Sequence, residues 1–78
     1  MKLYPNIETN RDHRIHLASV MAAGKVKFQG GDLLAQDHAG IYAAMVVRSG
    51  KSAATAIDEG YKAGMRIFNN AMLRQQAI

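Results

Sequence analysis

The chain has no cysteine, no tryptophan and one proline, and its aromatic residues are three tyrosines and two phenylalanines among 78 residues. Each shortage excludes something. Without cysteine there is no disulfide, no thiolate metal site and no cysteine nucleophile. Small secreted domains usually depend on such staples, so their absence points to a reducing compartment or to a core completed by a second copy. The β-branched and aromatic enrichment expected of strands is missing. No apolar run approaches the roughly 20 residues that a membrane span needs. The segment Met1–Asn6 lacks the apolar stretch of a secretory signal. The expectation is a soluble protein of the cytoplasm.

What the chain does contain is alanine, methionine and a modest excess of positive charge. Ten lysines and arginines stand against six acids, for a formal charge of +4. Alanine is the strongest helix former and methionine fills irregular gaps. A chain of this length makes one domain, and at this size only about 60% of the unfolded surface is buried on folding. An all-α fold is therefore expected: a small three-helix domain with a C-terminal antiparallel helical hairpin.

Helix boundaries follow from capping signals. Residues 1–8 read as an extended arm, because Pro5 disfavours the α region at Tyr4. Thr9 is a helix N-cap candidate with Asp12 three residues on, and the first helix is predicted over about 10–23, ending at Gly24. The segment Gly24–Gly31 is expected to be a loop whose Val26 and Phe28 dock on the core. Asp32 caps a second helix over 33–48, with Leu34, Ile41 and Met45 on one face and Gly50 beyond its end. Ser52 caps a third over 53–75, in which Ile57, Tyr61, Gly64, Phe68 and Met72 recur at helical spacing.

Small residues line both long helices. Gly40 and Ala44 in the second and Ala56, Gly60 and Gly64 in the third fall at close steps. A glycine inside a helix costs about 1 kcal/mol against alanine, so its presence implies close approach of a neighbour. Two uses fit: tight packing of the hairpin, or self-association of a small-residue face in a homo-oligomer.

Few constellations carry chemistry. His13 and His16 share a helix face, but Arg11 and Arg14 flank them and repel a metal ion, so no metal site is expected. Gly50-Lys51-Ser52 resembles the close of a phosphate-binding loop, yet Met45 stands where that loop requires glycine, and the lead-in is helical. A nucleophile paired with a base, or paired carboxylates in a dry pocket, is not evident. The expectation is a protein that binds rather than catalyses, with no cofactor. As a helix-turn-helix, helices two and three would present Asp58 and Glu59 near the reading end, where phosphate repels them.

The candidate contact surface is basic. Lys2, Arg11, Arg14, Lys25 and Lys27 face only Glu8 and Asp12 in the N-terminal third. Tyr4 and Phe28 lie among them and offer rings on which bases stack. Arg48, Lys51 and Ser52 at the start of the third helix add a second anion-facing element, since a helix N-terminus presents unsatisfied N–H groups.

The stretch Ala56–Gly64, with Asn70-Ala71-Met72-Leu73-Arg74 after it, resembles the C-terminal helices of short alanine-rich accessory proteins of bacteriophages and prophages. Gly60-Tyr61-x-Ala63-Gly64 also recurs in the ribosome modulation factor, but the proline and tryptophan pattern that follows there is absent. The phage resemblance covers about a third of the chain. It implies a helical protein that binds and blocks a host protein or ribonucleoprotein, including CRISPR and other defence complexes, and it carries over no catalytic residues. Two alternatives share the same residues: a small nucleic-acid-binding regulator, and an oligomeric sponge for an anionic, nucleotide-like ligand.

Overall fold

The computed structural model describes residues 11–76. They form three helices: α1 (Arg11–Phe28), α2 (Leu33–Arg48) and α3 (Ala53–Gln76). There is no strand among the described residues. The arm expected over residues 1–8 lies outside them.

The chain remains helical through Gly24, which corrects the expected loop at 24–31. Gly24 has no positive φ; the positive-φ residues are Gly30 (91°) and Gly50 (105°). Continuing the helix brings Val26 to 0% exposure, and that burial outweighs the intrinsic cost of one helical glycine. Val26 therefore docks on the core as expected. Phe28 does not: it is 87% exposed.

Both turns are built alike. After α1, the Gly30 N–H donates to the Lys27 carbonyl at 2.9 Å and the Gly31 N–H to the Val26 carbonyl at 2.9 Å. After α2, the Gly50 N–H donates to the Val47 carbonyl and the Lys51 N–H to that of Val46, at 2.9 and 3.3 Å. This is the Schellman pattern, in which a left-handed glycine lets the last carbonyls find donors. The next helix then starts on a side-chain cap. Asp32 accepts from the Ala35 N–H at 3.0 Å, and the Ser52 hydroxyl oxygen accepts from the Thr55 N–H at 3.2 Å. Each cap satisfies a donor that the first helical turn leaves unpaired.

The core is made of small side chains. Ala18, Ala22, Val26, Ala35, Ala39, Ala43, Val46, Val47 and Ala56 form it, and Val26 is the largest side chain buried completely. Ile15, Ile57, Tyr61, Met65, Ile67 and Phe68 pack half-buried around it. Glycines bring the backbones together. A Cβ on Gly60 would lie 2.6 Å from the Ala39 carbonyl oxygen, and one on Gly64 2.8 Å from that of Ala35. As α3 advances one turn, its contacts retreat one turn along α2, so the two helices run in opposite directions. Against α1 the order is direct: Gly60 meets Ala22 and Gly64 meets Val26.

Gly40, Ala56, Gly60 and Gly64 are all buried inside the chain, and Ala44 is half-buried. The self-association face expected on these residues is corrected for the four buried ones, because helix–helix packing within one chain already occupies them. A Cβ on Gly40, for example, would lie 2.8 Å from the Ser19 hydroxyl of α1.

Candidate interaction surface

With alanine and glycine inside, the large apolar side chains are outside. All four leucines among the described residues are exposed: Leu17 by 41%, Leu33 by 74%, Leu34 by 69% and Leu73 by 62%. Val20, Met21, Phe28, Ile41, Tyr42, Met45 and Met72 are exposed as well. Soluble monomers scatter single apolar residues over their surface, but contiguous apolar patches mark interaction sites.

The exposed residues fall into ordered stripes. On α1, Leu17, Met21, Gly24 and Phe28 recur at steps of four, three and four residues. At 3.6 residues per turn they share a side turned away from the buried Ala18, Ala22 and Val26. On α2, Leu34, Ile41 and Met45 lie opposite Ala35, Ala39 and Ala43 in the same way. The sequence places Leu34, Ile41 and Met45 on one face without saying which way that face turns. The close approach enforced by Gly60 and Gly64 puts the alanine face inward, and the larger residues point out.

Between α1 and α3 the stripe deepens into a groove of about 410 Å³, lined by Met21, Gly24, Lys25, Phe28, Gln29 and Tyr61. The Lys25 ammonium sits 4.7 Å from the centre of the Tyr61 ring. A cation over an aromatic face is attracted by the ring quadrupole, and this contact fixes one wall of the groove. Gly24 forms part of its floor. Unlike Gly40, Gly60 and Gly64, it has no heavy atom within 4 Å of where a Cβ would stand. Packing among the described residues thus gives no reason for a glycine there.

The basic residues predicted as one surface separate into two groups. Arg11 and Arg48 come together at one end, where the Arg11 guanidinium donates to the Arg48 backbone carbonyl at 2.9 Å. Arg14 is half-buried near by in sequence on α1, and its Nε is shielded from solvent with no hydrogen-bond partner among the described residues. Lys25 and Lys27 stand about 21 Å and about 24 Å from Arg11 along α1, at 1.5 Å per residue. Lys51 pairs with Glu59 at 3.5 Å, and Ser52 is engaged in capping α3. Lys51 and Ser52, two of the three residues of the anion-facing turn, therefore have partners within the chain. Lys2 and Tyr4 lie outside the described residues.

The chain matches no model of a known protein family, no curated protein and no solved structure. Chemistry has to be read from the site itself. Among the described residues no group of three or more histidine, acidic or cysteine side chains is placed to hold a metal ion. No helix among them is long and apolar enough to cross a membrane.

Sequence reasoning missed Met21, Gly24, Gln29 and Tyr61 as members of one site. The signal was present in the four–three–four spacing of Leu17, Met21, Gly24 and Phe28. Ending the first helix at Gly24 concealed it.

Proposed function

We propose that the chain is a non-enzymatic binding protein whose α1–α3 groove receives an apolar segment of a partner protein flanked by acidic residues. The observation that supports this reading most is the placement of Met21, Phe28 and Tyr61 around an open groove, with Gly24 on its floor. A glycine with no neighbour among the described residues allows the backbone or a bulky side chain of a partner to approach closely. Lys25 and Lys27 beside the groove complement acidic flanks, which favours correct docking and speeds encounter. Occupying a surface is the whole mechanism. Such a protein inhibits by steric blocking, the role implied by the resemblance to phage accessory proteins that act on host protein or ribonucleoprotein complexes.

A photo-crosslinking residue in place of Phe28 tests the reading in bacterial cells. A discrete adduct is expected, lost on Met21→Glu and absent when the crosslinker replaces Asn69 on α3. Adducts that are equal from both positions would refute it.

One observation favours a second reading. Phe28 is an exposed aromatic with Lys25 and Lys27 close by in sequence, a combination on which unpaired bases stack. Binding to single-stranded nucleic acid would then weaken steeply with salt, as neutralised phosphates release counterions.

A further inference from the structure

We infer that the outer face of α2 pairs with the same face of a second copy of this chain, the two α2 helices lying antiparallel across a two-fold axis. This face is separate from the α1–α3 groove, and the inference does not rest on the function proposed for that groove.

The first support is the character of the helix. α2 buries Ala35, Ala39, Ala43, Val46 and Val47 on one side, and on the other exposes Leu34 by 69%, Ile41 by 62% and Met45 by 57%. A helix apolar on both sides is one that is covered on both sides. Leu34, His38, Ile41, Met45 and Arg48 follow one another at steps of four and three residues, the spacing of a coiled-coil seam.

The second support is area. Leu33, Leu34, Ile41, Tyr42 and Met45 together leave about three whole large side chains in water. A pair that covered them would bury roughly 400–700 Å² of apolar area, and the polar rim of Asp37, His38 and Arg48 brings the total toward the ~1,000 Å² at which specific interfaces begin.

The third support is charge, and it selects the occupant and its direction. Asp37 and Arg48 are both exposed, on the same edge of the strip and three helical turns apart. An antiparallel partner brings Asp37 of each copy toward the partner's Arg48. A parallel two-fold partner would place this edge on the opposite side of the seam in the other copy and leave each Asp37 three turns from the nearest Arg48, so the pair would not form. The α1 stripe lacks this self-complementarity, since Lys25 and Lys27 accompany it with no acid between Gly24 and Gly31.

Sedimentation equilibrium on the full chain, over a roughly hundredfold concentration range, is the test. The mass is expected to rise from 8.5 kDa to twice that value and stop. Because a two-fold interface contains every substitution twice, Ile41→Glu should weaken pairing at least about 100-fold, with unchanged circular dichroism. Asp37→Arg and Arg48→Asp should each weaken it about tenfold, and the double exchange should restore it. Should Ile41→Glu lose helicity, the charge exchange decides alone. A wild-type chain that is monomeric at every concentration overturns the inference. So does a dimer broken by Met21→Glu and not by Ile41→Glu, and so does a charge exchange that fails to restore pairing.

Discussion

Two glycine-to-alanine substitutions should move stability in opposite directions. Both sites are helical, so each gains about 0.8–1 kcal/mol of helix propensity. At Gly24 nothing stands within 4 Å of the new methyl group, and the gain is kept. At Gly60 the methyl would lie 2.6 Å from the Ala39 carbonyl oxygen, 2.8 Å from the Ala43 Cβ and 3.1 Å from the Ala22 Cβ. None of these atoms can rotate out of the way, so α2 and α1 must both shift. Overpacking of this kind costs typically about 1–3 kcal/mol, occasionally more. Backbone obstruction on two sides places Gly60 at the upper end, and after the propensity gain about 2 kcal/mol of destabilisation remains. For a domain of this size each 1 kcal/mol moves the midpoint by about 4–8 °C. Thermal melts followed by circular dichroism at one fixed protein concentration, since association shifts apparent stability, should show Gly24→Ala melting about 4–8 °C higher. Gly60→Ala should melt about 8–16 °C lower. A neutral or stabilising Gly60→Ala would refute the close packing of α3 on α2 and α1.

Other substitutions separate buried from exposed roles in the same melts. Val26→Ala removes two methyl groups from a fully buried site and should cost about 1.5–3 kcal/mol with its cavity, whereas Phe28→Ala should change stability by less than about 0.5 kcal/mol. Equal effects at the two sites would contradict the continuation of α1 through Gly24. Asp32→Ala removes the cap on the Ala35 N–H and should cost about 1 kcal/mol. Lys62→Met breaks the exposed pair with Asp58 at 3.1 Å, and a change above about 0.5 kcal/mol would be unexpected for a solvated pair one turn apart on a helix.

The fold class and two of the three helices were legible in the sequence because their signals are local. Asp32 and Ser52 cap where caps were read, and Gly50 ends α2 in a left-handed conformation. The end of α1 was not legible. Gly24 and Gly30 are equally able to stop a helix, and the choice depends on whether Val26 finds a buried place beside Gly64, which is a contact distant in sequence. Which face of α2 turns inward was not legible either, for a related reason. Hydrophobicity alone favours burying Leu34, Ile41 and Met45, yet glycines on α3 leave room only for alanines opposite them. The basic surface read as one patch is split in the fold, because a run of charges in sequence carries no distance along α1. Arg11 and Lys27 are neighbours in a count of charges and lie at opposite ends of a helix.

Hydroxyl-radical footprinting of the purified chain, dilute and then concentrated, tests most directly whether the outward apolar side chains are docking surfaces. Leu34, Ile41 and Met45 should become protected on concentration, while Phe28, left for a different partner, stays reactive. Equal reactivity of Leu34, Ile41 and Met45 at both concentrations would contradict the pairing of α2 across two copies. Protection of Phe28 in the pure protein would show that a second copy, rather than another partner, fills the α1–α3 groove.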